Sequence, residues 1–209
     1  MRVSSRWHSI FTAALVVTAG ALASAEARAE PVVGKPAPDF TGTDSNGKTV
    51  KLSSLKGKIV VLEWTNHDCP YTVKHYKSGN MQALQKAAAG KGTVWLTVVS
   101  SAKGEQGHVT AKEANGLTTS RKAAPTAVVL DPEGTIGKLY AARTTPHMYI
   151  IDKAGTLAYM GAIDDKPSSS VDDIKGAKNY VSLALAALEA GKPVPVKSTR
   201  PYGCSVKYK

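Results

Sequence analysis

The chemistry of this chain begins at its two cysteines, Cys69 and Cys204. Cys69 lies in Trp64-Thr65-Asn66-His67-Asp68-Cys69-Pro70-Tyr71-Thr72, between an apolar run and a stretch of helical spacing. A helix N-terminus offers unpaired N–H groups and a partial positive charge, so a cysteine there is stabilised as the thiolate, the nucleophilic form. Pro70 suits the first helical turn. His67, Lys74 and His75 are expected to lower the thiol further, with Asp68 opposing them. Cys204 stands in Pro201-Tyr202-Gly203-Cys204-Ser205-Val206-Lys207-Tyr208. If it reaches Cys69 it is either a resolving thiol that attacks a mixed disulfide or half of a permanent staple. By the chain-entropy argument, closing so long a loop stabilises a fold by about 5 kcal/mol. Both readings stay open.

These side chains must be positioned by elements legible as apolar runs. Five such runs read as strands: 58–65, 93–100, 126–130, 147–151 and 156–160. Between the first two, Tyr71 to Ala89 carries Val73, Tyr76, Met81, Leu84 and Ala88 at helical spacing, ended by Gly90 and Gly92. That is a βαβ unit, whose right-handed crossover makes its strands parallel. Further helices are expected near His108–Ala114, Thr135–Ala142 and Asp173–Ala190, and the last two strands form a hairpin around Asp152-Lys153-Ala154-Gly155. A βαβ unit followed by a hairpin and a closing helix is the thioredoxin arrangement. The expected fold is α/β, a central mixed sheet flanked by helices, with an N-terminal extension and an inserted helix. Thr145-Pro146 precedes the fourth run. In this fold a proline there is typically cis and leaves a backbone edge beside the nucleophile where an extended substrate can pair. Thr145, Pro146 and His147 are therefore the expected substrate-binding residues, with Trp64, His67, Pro70 and Thr72 supporting Cys69.

The first 29 residues read as a secretory leader. Arg2 and Arg6 give a positive start, Ile10 to Ala23 is apolar but short for a membrane span, and Ala27-Arg28-Ala29 is a small-residue cleavage site. The expected organisation is a leader over 1–29, a domain over 30–191 and a tail over 192–209 carrying Cys204. The expected address is the periplasm or another exported compartment, where disulfides persist, with no stable membrane insertion once the leader is removed. The net charge of +11 is spread along the chain without a basic run. With no nucleic-acid signature and few aromatics, nucleic acid is not an expected partner.

Two patterns are set aside. Gly42-Thr43-Asp44-Ser45-Asn46-Gly47-Lys48-Thr49 matches a phosphate loop letter for letter, but that loop works between a strand and a helix. Asn46-Gly47 followed by the alternating Thr49–Leu52 instead reads as a β-turn. His67, Cys69, His75 and His147 have the chemistry for Cu(I) or Zn(II). A histidine six residues into the helix need not face Cys69, however, and no second cysteine is near. No metal and no cofactor is assigned.

Asn66-His67-Asp68-Cys69-Pro70-Tyr71, Lys74-His75, Thr145-Pro146, Tyr159–Asp165, Gly191–Pro195 and the Gly203-Cys204 tail resemble a bacterial redoxin family of thioredoxin-like or AhpC/TSA-like proteins, and Gly34–Phe40 is similar to the opening of that wider group. The resemblance implies a thiol–disulfide oxidoreductase or thiol-dependent antioxidant. It would act on protein or small-molecule disulfides or peroxides, with the electron donor left open. The departures are specific. Thr72 stands where thioredoxins carry their second cysteine, so dithiol exchange would need Cys204. Leu62 and Asn66 stand where peroxiredoxins carry proline and threonine. Arg143 is the candidate for polarising a peroxide. The alternative is a non-catalytic thioredoxin-fold binding protein with a structural Cys69–Cys204 bridge.

Overall fold

A computed structural model describes Met1 and residues 30–209. The leader read in residues 1–29 lies, Met1 apart, outside the described residues. The first hairpin pairs β1 (Thr41–Asp44) with β2 (Thr49–Lys51). Its turn is closed by Asp44 Oδ1, which accepts the N–H groups of Asn46 and Lys48 at 2.8 Å. The phosphate-loop pattern is therefore a β-turn, held by an aspartate where a nucleotide loop would need free N–H groups.

The centre of the sheet is β3 (Val60–Trp64), parallel to β4 (Val94–Val99), which is parallel to β5 (Ala127–Leu130). On its other side β3 pairs antiparallel with β7 (His147–Ile151), and β7 with β8 (Leu157–Gly161). The seven-stranded order is β2-β1-β5-β4-β3-β7-β8. This is the mixed thioredoxin-like sheet expected from the sequence. Every residue of β3, β4 and β7 is buried, which explains why these strands read as continuous apolar runs.

Alternation along β3 feeds two cores. Leu62 and Trp64 face one cluster with Phe40, Val129, Ile136, Tyr140 and Tyr149. Val61 faces the other, with Tyr76, Met81, Trp95, Met148 and Val181. Glu63 shares that second face and is fully buried.

The helices depart from the sequence reading in three places. The helix expected over Tyr71–Ala89 is two, α1 (Pro70–Lys77) and α2 (Asn80–Gly90), separated by Gly79 at φ +76°. Both halves turn their apolar side to the same sheet face, so the break left the periodicity intact. The weak helix near His108–Ala114 is α3 (Ala111–Ser120), started by a capping box in which the Thr110 side chain accepts the Glu113 N–H and Glu113 accepts the Thr110 N–H. After α4 (Thr135–Leu139), the closing helix is only α5 (Tyr180–Glu189). Asn179 caps it, accepting the Ser182 N–H at 2.9 Å, and Asp172–Gly176 forms a separate 3-10 turn.

The tail reads as extended and is so, but it also pairs. β6 (Thr144–Thr145) and β9 (Cys204–Ser205) form a two-stranded antiparallel ladder with Thr145 opposite Cys204. Among the described residues no helix is long and apolar enough to cross a membrane.

Candidate functional site

Cys69 is the N-cap residue of α1, with extended backbone at φ −73° and ψ 121° and Pro70 in the first turn. The loop that brings β3 to this point is shaped by Asn66. Its carbonyl accepts the Cys69 N–H at 3.1 Å, its Oδ1 accepts the Asp68 N–H at 2.9 Å, and its Nδ2 donates to the Gln106 carbonyl at 3.2 Å. Asn66 was not singled out as a site residue from sequence. The signal that could have found it is an asparagine three residues ahead of an N-cap, where its side chain can close a local turn.

The Thr145–Pro146 peptide is cis. The Cys69 thiol donates to the Thr145 carbonyl at 2.9 Å, and the Cys204 N–H donates to Cys69 Sγ at 3.4 Å across 135 residues of chain. Gly203 allows this approach. At φ +134°, a Cβ on it would lie 2.1 Å from the Thr145 carbonyl oxygen. The structure thus brings Cys69, Thr145, Pro146 and Cys204 together. Cys69 is buried and Cys204 only half-buried, so the tail covers the first thiol while leaving the second partly open.

The electrostatics divide the pair. Burial pushes the Cys69 thiol up, but hydrogen bonds from the Cys204 thiol, the Thr145 side chain and the Thr72 and Cys204 N–H groups outweigh it, so Cys69 ionises below its ordinary range. Burial pushes Cys204 up to about 11, helped by its hydrogen bond to Cys69 and by the charge there, against a small opposing effect of Lys207.

The cations expected to lower Cys69 are turned elsewhere. Lys74 is buried and donates from Nζ to the Lys166 carbonyl at 2.8 Å, with Asp164 Oδ2 3.9 Å away. His75 is also buried. Its Nδ1 meets Asn80 Nδ2 at 2.9 Å, and its Nε2 meets the Tyr202 hydroxyl at 3.3 Å. His67 stays partly exposed, with its Nε2 3.4 Å from Asp68, and its carbonyl accepts from Arg121 at 2.8 Å. Helical geometry is the reason: positions 74 and 75 lie more than a turn beyond the N-cap, facing the loop after β8.

The remaining expected residues are placed as follows. Trp64 points away from Cys69 into the first core, against Tyr140 and Tyr149, and donates from Nε1 to Ser100 at 3.0 Å. Its contribution is to packing. Thr72 is buried one turn after Cys69, and its hydroxyl has no partner. His147 is buried against Tyr149, and its Nδ1 lies 3.1 Å from the Tyr149 hydroxyl. Arg143 reaches outward to Glu30 at 3.4 Å, away from Cys69. Glu63, absent from the sequence reading, accepts from Tyr76 and Trp95 at 2.8 Å, from Thr97 at 3.1 Å and from Gln85 at 3.2 Å, and burial holds its carboxyl above the usual range despite them. Among the described residues no group of three histidines, cysteines or carboxylates is arranged to hold a metal.

A thioredoxin-like sheet with a cysteine capping the helix after its central strand, in contact with the Thr145–Pro146 loop, defines a redoxin. The AhpC/TSA family profile matches residues 33–160, and the chain belongs to that family. It is 28% identical over 130 residues to the thiol-disulfide oxidoreductase ResA of Bacillus subtilis, covering 55% of this chain and 70% of that protein. Among solved structures it is similar to an uncharacterized conserved protein from Geobacillus kaustophilus, with a TM-score of 0.71 and 25% identity over 85% of this chain and 93% of that one. A hypothetical protein from Sinorhizobium meliloti 1021 shares the fold at a TM-score of 0.69 and 20% identity, covering 87% of this chain and 97% of that one.

Proposed function

We propose that this chain is an exported thiol–disulfide oxidoreductase in which Cys69 is the nucleophile and Cys204 the resolving thiol. The observation that carries the reading is the contact between Cys204 N–H and Cys69 Sγ at 3.4 Å; the opposite directions in which the two thiols are pushed agree with it. A thiolate of low proton affinity is both the better-populated attacker and the better leaving group. The likeness to ResA supports the reaction class, and the leader pattern supports the address. We further assign the chain to a redoxin subgroup marked by Asn66-His67-x-Cys69-Pro70-Tyr71 and the Gly203-Cys204 tail.

In the reaction, the Cys69 thiolate attacks one sulfur of a substrate disulfide, forming a mixed disulfide and expelling the other sulfur as a thiolate. Cys204 then loses its proton and attacks Cys69 Sγ, forming the Cys69–Cys204 disulfide and releasing the second substrate thiol. Two electrons pass from the protein to the substrate. A dithiol donor must return them; where the Cys69–Cys204 disulfide is instead kept formed, a substrate dithiol can attack it and be oxidised by the same steps in reverse. Disulfides are a better fit than peroxides, because Arg143 pairs with Glu30 at 3.4 Å and Leu62 and Asn66 replace the peroxiredoxin proline and threonine.

One observation favours the alternative of a non-catalytic binding protein with a structural bridge: Cys69 is buried beneath the tail. Mutation separates the two. For an oxidoreductase, Cys204→Ser should react once with glutathione disulfide and stall as a stable adduct, while Cys69→Ser gains no adduct at this site. For a staple, both replacements open the same loop, lower the melting temperature of the oxidised protein equally, and trap nothing. Adduct mass and melting temperature, measured side by side, decide between them. Equal destabilisation without an adduct on Cys204→Ser would overturn the enzyme reading.

A further inference from the structure

The backbone edge at Thr144–Thr145 is filled by the chain itself. β9 pairs there antiparallel, Thr144 opposite Ser205 and Thr145 opposite Cys204, and the Val206 N–H continues the pairing onto the Arg143 carbonyl at 3.0 Å. An extended segment added to a free edge is a general mode of peptide recognition, in which main-chain hydrogen bonds give affinity and side-chain room gives selectivity. Here the tail presents a cysteine to Cys69 in the manner of a bound peptide. Cys69 is buried while it does so, so any other polypeptide must take the tail's place to reach the sulfur.

The occupant also records what the edge accepts. The Cβ that any other residue would carry at position 203 lies 2.1 Å from the Thr145 carbonyl oxygen, 2.8 Å from its carbonyl carbon and 3.3 Å from Pro146 N. Those are backbone atoms and cannot swing aside as a side-chain tip would. The residue after the cysteine, Ser205, is exposed, its hydroxyl held only by Lys207 Nζ at 3.0 Å.

We infer that the Thr144–Thr145 edge, the substrate edge this fold implies, selects extended polypeptides bearing a Gly–Cys step, and that the chain's own Gly203–Ser205 segment competes for it. The inference rests on Cys69 being the nucleophile and names the substrate class of that site. A side chain ahead of the partner's cysteine would hold its sulfur away from Cys69. A partner with glycine there would lay its cysteine where Cys204 now lies.

The test uses the full chain with the tail displaced. Gly203→Val, combined with Cys204→Ser, drives β9 off the edge and removes the competing thiol. A second variant, Val206→Pro with Cys204→Ser, loses the N–H that bonds Arg143 and serves if the first does not fold. The probes are two acetylated peptides, Tyr-Gly-Cys-Ser-Val and Tyr-Ala-Cys-Ser-Val, each carried as its mixed disulfide with thionitrobenzoate. The Cys69 thiolate attacks the peptide sulfur, the old disulfide breaks, and thionitrobenzoate leaves with the electron pair and is read by its absorbance. The glycine peptide should react at least about tenfold faster than the alanine peptide, a difference of about 1.4 kcal/mol in barrier. Cys204→Ser alone, with its tail still docked, should react more slowly than the displaced variant with either peptide. Equal rates for the two peptides, or no gain on displacing the tail, would overturn the inference while Ellman's reagent still labels Cys69. Failure of Cys69 to react even with Ellman's reagent in the displaced variants would overturn the nucleophile assignment and this inference with it.

Discussion

Tyr202, two residues ahead of Cys204, donates its hydroxyl to Asp164 Oδ1 and so fastens the tail beside the helix that carries Cys69. The same hydroxyl lies 3.3 Å from His75 Nε2, and the Tyr202 ring stands edge-on to Tyr71 at 5.9 Å with Lys74 Nζ 5.5 Å from its centroid. Tyr71, Lys74 and His75 all belong to α1. One helix therefore presents the first thiol at its end and holds the segment bearing the second along its side.

Tyr202→Phe should loosen that hold without emptying the ring's packing site. Losing one such hydrogen bond costs about 1 kcal/mol. The equilibrium constant for forming the Cys69–Cys204 disulfide against glutathione should fall roughly fivefold, the equivalent of that energy. Quenched redox titrations read by mass spectrometry would check it. An unchanged constant would mean that the tail is positioned entirely by its pairing beyond Cys204.

The two thiols should titrate as a coupled pair. In the wild type the first thiolate, followed by ultraviolet absorbance, should form below the ordinary thiol value of about 8.5 and belong to Cys69. Cys204→Ala removes a donor from Cys69 and should raise that value. Cys69→Ala removes the neighbouring charge and should bring Cys204 down from about 11. If Cys69→Ala leaves the high titration in place, the coupling is not the cause.

Acid should destabilise the fold through its buried histidines. Burial holds His75 down to about 4, with Lys74 adding to the effect and Asp164 opposing it, and burial with Arg143 holds His147 down to about 3. The unfolded chain takes up these protons near pH 6.5. Between there and about 4 the unfolded state binds more protons, so stability falls as the pH falls, and above about 6.5 neither histidine contributes a slope. Buried Glu63 acts in the opposite sense, because its raised carboxyl favours the folded state on protonation. The comparison is therefore between the wild type and His75→Gln. The wild type should lose about 3 kcal/mol relative to the variant on going from pH 6.5 to 4. Parallel urea unfolding curves at both pH values would contradict this.

Gly79→Ala should destabilise the protein by about 1 kcal/mol through backbone conformation alone. Gly79 adopts φ +76° between α1 and α2, and nothing lies within 4 Å of the Cβ it would gain. Urea denaturation measures the loss. A neutral result would mean that the α1–α2 break relaxes into a continuous helix.

The sheet, the placement of Cys69 ahead of a helix and the Thr145-Pro146 loop were all legible in the sequence, because each is a local matter. Buried strands need unbroken apolar runs, Pro70 suits a first helical turn, and a proline opening a strand is visible by itself. The break at Gly79 left an ambiguous trace, since two helices on one sheet face keep one periodicity. Tertiary structure alone decided the surroundings of the sulfur. Lys74 and His75 stand close to Cys69 in the chain, yet helical geometry turns them toward Asp164 and Tyr202. Thr145 and Cys204, 76 and 135 residues away, are what touch it. Nor could any local pattern say that the tail would fold back onto the Thr145 edge. That depends on a glycine at 203 fitting against one carbonyl and on a tyrosine at 202 finding a buried carboxylate, contacts that exist only once distant parts of the chain are brought together.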